Sequence, residues 1–196
     1  MRMVKRVLSA VMAVAVAASS VIAVPQFTKK ADAASSYTAY LCFMSKSYNG
    51  VRDNHDAGNA KLGVYNGNKS KSISGVKCTN ATFKKGSFNI TVSVTGSNLK
   101  KFKSDKGWNT IYVDTTLPGS QKKKLKVSSL TLKMDGKTVK TIKNPALTPD
   151  PGSTAGNTQV MCINAWNKYS EKKCKAASVK TMPTKSMSIT ISGKLK

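Results

Sequence analysis

Groups able to carry acid–base or nucleophilic chemistry are scarce in this chain, and those present are not spaced for it. Glycoside hydrolysis normally needs two carboxyl groups flanking the scissile bond. Asp and Glu together number only 8 among 196 residues, and Glu171 is the sole glutamate. Asp53 and Asp56 are close only along one polar stretch, where carboxylates are ordinarily just solvated. His55 is the single histidine, there is no Gly-x-Ser-x-Gly, and no Cys–His spacing points to an activated nucleophile. A phosphate-cradling glycine loop is also absent. Asp53-Asn54-His55-Asp56 offers oxygen ligands of the kind calcium takes, without the glycine and terminal glutamate of an EF-hand. A structural Ca²⁺ there is the one cofactor the sequence admits, and the expected protein is not an enzyme.

Binding chemistry is better supplied. Sugar rings present apolar C–H faces that stack on Trp and Tyr, while nearby amides serve the sugar hydroxyls. Trp108 and Trp166 flank expected strand ends beside Asn109, Asn164 and Asn167, and Tyr48, Tyr65 and Tyr169 lie in expected loops. These eight residues are the candidate ligand-binding set. The competing reading of either tryptophan is a core side chain.

Charge narrows the partner. The formal net charge is +25, and Arg52 is the only arginine beyond residue 6. Reading phosphates or bases by geometry favours arginine's planar fork, whereas lysine is a solvated point charge. Lysines spread over the whole chain predict long-range attraction to anionic surfaces, or simple solubility, rather than specific nucleic-acid recognition. They are not set against an amphipathic apolar helix, so a membrane-active role is not expected.

Arg2, Lys5 and Arg6 precede an apolar run from Val7 to Val24, and Ala31-Asp32-Ala33 forms a small-x-small site. That order predicts a signal peptide over residues 1–33, a single domain over 34–196, and a secreted protein with no stable membrane insertion after processing. The alternative is an uncleaved anchor, since an apolar run of ~18 residues is borderline for spanning a bilayer. Cys42, Cys78, Cys162 and Cys174 all follow the leader, and four cysteines in an exported chain permit two disulfides in any of three pairings. Cys162–Cys174 with Cys42–Cys78 is one of them. A metal site is disfavoured by the lack of C-x-x-C and of a second histidine.

The elements that must position these groups read as strands. Phe88, Ile90, Val92 and Val94 alternate with Asn89, Thr91 and Ser93 between Gly86 and Gly96, the pattern of a half-buried strand. Further strands are expected over Tyr37–Met44, Ile73–Phe83, Trp108–Asp114, Lys124–Met134, Lys137–Lys143, Gln159–Trp166 and Ser186–Ser192, with a short one near Leu62–Tyr65. Lys84-Lys85-Gly86 reads as a tight turn pairing Ile73–Phe83 with the strand after it. Ser128-Ser129 marks a phase slip and hence a bulge. Asp135-Gly136 is a type I′ hairpin signal that would pair Leu132 with Val139 and Lys133 with Thr138. Residues 97–107 and 144–158 read as loops. About eight strands and no amphipathic helix argue for an all-β, antiparallel two-sheet sandwich, jelly-roll-like. Outward positions near the hairpin carry Thr131, Lys133, Thr138 and Lys140, whereas Asn89, Thr91, Ser93, Ser188 and Thr190 are uncharged. Such a face is either covered by the long loops or meets an uncharged, hydroxyl-rich ligand.

Ala39-Tyr40-Leu41-Cys42-Phe43, the Gly86–Val94 strand, the Lys133–Lys137 hairpin and Ile163-Asn164-Ala165-Trp166-Asn167 together resemble small secreted β-sandwich modules of anaerobic Gram-positive bacteria. These are similar to non-catalytic carbohydrate-binding jelly rolls. The resemblance implies a binding protein for glycans or anionic cell-surface polymers. The alternative is a secreted factor that engages a host or bacterial protein through loops 45–72 and 144–158.

Overall fold

The computed structural model describes residues 36–46, 75–105, 107–149, 157–165 and 174–196. The chain divides into two compact units, Met1–Ala33 and Ala34–Lys196. The first lies outside the described residues, as does the strand expected near Leu62–Tyr65.

The second unit is an all-β sandwich of two five-stranded sheets in which every pairing is antiparallel. The strands are β1 (Tyr37–Ser45), β2 (Lys77–Thr79), β3 (Ala81–Phe83), β4 (Gly86–Thr95) and β5 (Trp108–Pro118). They continue with β6 (Leu125–Met134), β7 (Lys137–Lys143), β8 (Leu147–Pro149), β9 (Asn157–Asn164) and β10 (Ser186–Leu195). Sheet 1 runs β3-β1-β5-β9-β8 and sheet 2 runs β2-β4-β10-β6-β7. Ten strands replace the expected eight for two reasons. The single strand expected over Ile73–Phe83 begins as β2 beside β4, then crosses at Asn80 and continues as β3 beside β1 in the other sheet. The proline-bearing loop 144–158 contributes β8, which pairs with the start of β9.

Between the sheets lies the core. Ala39, Leu41 and Phe43 of β1 and Ile111 and Val113 of β5 face Val92, Val94, Leu130, Leu132, Ile189 and Ile191 from sheet 2. The expected loop after Gly96 is instead a 3-10 helix, Ser97–Ser104, because Leu99 and Phe102 fold back into that core and are fully buried.

Two irregularities set the faces of sheet 2. Along β10, Ser192 pairs with Ser129 but Gly193 pairs with Val127, so Ser128 is the extra residue of a bulge, as the phase slip predicts. A Cβ on Gly193 would run into the Lys126 carbonyl and lie 2.8 Å from the Phe88 ring, so only glycine fits where β10 passes the bulge. At the hairpin, Asp135 and Gly136 both adopt positive φ (49° and 79°), the type I′ geometry. Lys133 pairs with Thr138 as expected. Leu132, however, pairs with Lys140 rather than Val139, because Val139 is an extra residue on β7. The shift moves Lys140 off the outward face, and its ammonium donates to the Ser178 hydroxyl at 2.7 Å.

The cysteines are thiols and form no disulfide. The expected bridges are corrected by where the strands put these residues. Cys78 sits on edge strand β2 of sheet 2, whereas Cys42 belongs to sheet 1. Cys42 and Cys174 pack in an outer apolar cluster with Tyr40, Met44, Tyr112 and Met161, while Cys162 belongs to the inner core.

Candidate functional site

The two sheets differ in what their outer faces carry. All eight residues of β9 and residues 39–45 of β1 are buried, so sheet 1 is covered on both sides. In β4 and β10 burial alternates instead, and every outward side chain from Ser87 to Thr95 retains solvent contact. Parallel rows of hydroxyls result on sheet 2. One crosses four strands as Thr91–Thr190–Thr131–Thr141. The next crosses five as Thr79–Ser93–Ser188–Lys133–Thr138, and a third runs Asn89–Ser192–Ser129–Lys143. Strand geometry spaces neighbours along a row by roughly 4.8 Å and successive rows by roughly 6.8 Å. Within the first row Thr91 Oγ1 and Thr190 Oγ1 lie 2.8 Å apart, a direct hydroxyl–hydroxyl hydrogen bond.

No acidic side chain belongs to these strands. Asp135, at the hairpin tip, is fully engaged elsewhere. Its Oδ1 accepts the backbone N–H groups of Lys185 (2.7 Å) and Ser186 (2.9 Å), and its Oδ2 those of the Thr184 backbone and hydroxyl. Partial burial works to raise its pKa, but these donors outweigh it and hold the carboxyl at about 2. The face is therefore free of acidic groups, lined by hydroxyls along β4 and β10, and carries its lysines on β6, on β7 and at its ends. Each hydroxyl can both donate and accept, which suits a ligand that itself presents many hydroxyls along an extended chain.

The described members of the expected set, Trp108, Asn109 and Asn164, do not form this surface. Trp108 is 2% exposed, with its ring centroid 5.3 Å from Phe102 and 6.1 Å from Phe43. Its indole N–H donates to the Thr181 carbonyl at 3.0 Å. A ring closed in on all sides cannot stack on a sugar, so Trp108 is a core residue that seals one end of the sandwich. Beside it, Asn109 is half-buried; its amide donates to the Ser45 carbonyl at 3.3 Å and its carbonyl accepts the Ala165 N–H at 2.7 Å. Asn164 is 4% exposed at the end of β9, paired with Thr110 and bridged to Lys175. Both asparagines tie strand ends together. Tyr48, Tyr65, Trp166, Asn167, Tyr169 and the Asp53–Asp56 stretch lie outside the described residues. So do residues 47–72 and 150–156 of the two loops expected to meet a protein partner.

Among the described residues no three His, Cys, Asp or Glu side chains gather to hold a metal. Among the described residues Asp114 is the most deeply placed carboxyl, with 0% exposure, and its Oδ1 accepts the Thr115 N–H at 2.7 Å. The Tyr40 hydroxyl, also sealed from solvent, bonds to Asp114 and Asn157. Burial first, then the Asp114 charge, pushes the Tyr40 pKa far up, so the phenol stays protonated and caps the carboxylate. This node ties β1, β5 and β9 together and has no open side for a substrate.

No protein family, curated protein or solved structure matches the chain. The rows on sheet 2 were signalled in the sequence by the uncharged alternate positions of Phe88–Val94 and Ser186–Ser192. Missing from that signal was their alignment with Thr131 and Thr141, which only the register supplies.

Proposed function

We propose that this is an exported, non-catalytic binding protein that lays an extended glycan chain across the outer face of sheet 2. The single observation that carries the reading is an uncovered, hydroxyl-lined sheet face in a chain whose formal net charge is +25. A lysine-rich protein gains solubility from charge on any open surface, so an open face that carries none at its outward positions from Asn89 to Ser93 and from Ser188 to Ser192 answers to a ligand. Sugar hydroxyls exchange hydrogen bonds with serine and threonine reciprocally, and an open sheet face takes a linear polymer better than a compact solute. Lysines at its border add attraction to anionic polymers, at long range and with salt sensitivity. Export follows from the basic, apolar and small-residue order of the first 33 positions.

A glycan array probed with the wild-type chain and with the triple variant T91V/T131V/T190V tests the reading. Valine keeps the shape and strand preference of threonine and removes only the hydroxyl. The expected result is binding by the wild type that the folded triple variant loses. Undiminished binding by the variant overturns the sheet face as the site.

A further inference from the structure

Lysines crowd one end of the candidate face. Lys126 of β6 and Lys194 of β10 are direct cross-strand partners on the outward side, the only Lys–Lys pair in the described strand registers. One step further, Leu195 pairs with both Gly86 and Leu125. This sets Lys85, which precedes β4, and Lys124, which precedes β6, on either side of the end of β10, two strand spacings (roughly 10 Å) apart. The Lys196 N–H then donates to the Lys124 carbonyl at 3.1 Å, adding another lysine to the same corner. Lys123, in the 3-10 helix Gly119–Lys124, completes a group of six exposed lysines from three chain segments. No Asp or Glu occurs in β4, β6, β10 or that helix. Asp135 lies at the far end of β6.

Like charges directly opposite on neighbouring strands destabilise a sheet. Among the described residues, no acidic side chain of these strands offsets that repulsion at the point where the open face begins. Serine, threonine or glutamate at position 126 or 194 would relieve it, as the rest of the face already does with Ser and Thr. The repulsion turns favourable only when an anion sits between the two ammonium groups. Cα atoms of such partners are ~4.5–5.5 Å apart and lysine stems are long and flexible, so both ammonium groups can converge on a single anionic group. Lysine supplies point charges without the forked geometry that reads a planar carboxylate in two places at once.

We infer that the Lys126–Lys194 end of sheet 2 is an anion clamp for a densely charged glycan polymer bearing sulfate or phosphate esters, which it holds against the hydroxyl rows. Uronate polymers, whose planar carboxylates offer two oxygens in one plane rather than the tetrahedral oxygens of an ester, are weaker ligands. The inference rests on the glycan-binding reading above and names the polymer class for it.

Binding of heparin, a polyol-phosphate wall polymer and polygalacturonate is compared at equal charge concentration, using wild type and two matched triple variants. K124Q/K126Q/K194Q empties the clamp. K100Q/K101Q/K103Q removes the same charge from the 3-10 helix Ser97–Ser104, at the opposite end of the sheet. The clamp variant is expected to lose at least about tenfold in affinity for heparin or the phosphate polymer and to show a shallower salt dependence, with the control close to wild type. Which of those two polymers binds tighter identifies the ester. A rise in melting temperature of K194Q at low salt, with binding reduced, further supports the clamp because a purely structural lysine would not show both. Equal losses in the two triple variants, or polygalacturonate bound as tightly as the esters, overturn the inference and leave the glycan reading standing. Wild type that binds no polysaccharide overturns both.

Discussion

Thr91 and Thr190, on neighbouring strands of sheet 2, share a 2.8 Å hydroxyl–hydroxyl hydrogen bond on the solvent side of the sandwich. Their β-branched side chains are stiff at χ1, so the hydroxyls of this row are held in place before any ligand arrives. The bond is exposed and contributes little to the fold. T190V is expected to cost less than about 1 kcal/mol in urea unfolding, because valine is an equally good strand former and water replaces the lost partner. A much larger loss would mean that the row exists for stability rather than for binding.

Asp135 links the β6–β7 hairpin to the start of β10. Its carboxyl is lowered from 3.8 to about 2, so it stabilises the fold fully above the unfolded value and loses that contribution as pH falls through about 2. Because the group is exposed, solvent screening holds the contribution at neutral pH to about 1 kcal/mol. D135N keeps a residue that tolerates positive φ and retains one acceptor while removing the charge. Thermal unfolding across the acid range is expected to show a lower melting temperature for D135N at neutral pH, and curves that converge with wild type below about pH 2. Parallel curves down to the most acidic point would contradict the linkage.

Trp108 belongs to the core, and its variants should behave accordingly. W108A is expected to cost about 3–5 kcal/mol, a large share of a typical domain's stability. W108F retains aromatic packing against Phe43 and Phe102 and loses the hydrogen bond to Thr181, at a cost of roughly 1–2 kcal/mol. In W166F the remaining tryptophan emission should be blue-shifted and resistant to iodide quenching. Loss of glycan binding by a stably folded W108F would return the indole to the site.

The thiols should react in the order of their exposure. Cys78 is half-buried on an edge strand, whereas Cys42, Cys162 and Cys174 are fully buried. Burial pushes the Cys162 thiol up to about 12, which denies it a reactive thiolate at neutral pH. Alkylation without reductant is expected to label Cys78 first and the other three only on unfolding, four labels in all by intact mass. A denatured, unreduced protein that accepts no label would show bridged cysteines.

Much of this fold is legible in the chain because the signals are local. Phe88–Val94 alternates with period two, Asp135-Gly136 demands a two-residue turn, and the changed phase at Ser128 can only be a bulge. The sheet switch at Asn80 is not legible, since alternation says which face a residue takes but not which sheet. Leu147–Pro149 hides because its pairing partner lies beyond a stretch rich in proline and glycine. Trp108 was ambiguous at a strand end, where the same residue type serves a core or a ligand. Its burial depends on Phe102, nearby along the chain but reached only if Ser97–Ser104 folds inward. The cysteines likewise carry no distance information in their spacing. The candidate face was half visible, in the stretches Phe88–Val94 and Ser186–Ser192, which omit lysine. Its continuation through Thr131 and Thr141 required the register.

The surface that a glycan touches distinguishes the open face of sheet 2 from the strand ends of sheet 1. Chemical shifts of isotope-labelled protein, titrated with a heparin-derived oligosaccharide, measure this most directly. The predicted result is perturbation of the Thr91, Thr131 and Thr190 methyls and the adjacent β4, β6 and β10 amides, extending toward Lys126 and Lys194. Perturbation confined to the β1, β5 and β9 ends around Ser45, Asn109 and Asn164, with sheet 2 silent, would contradict it.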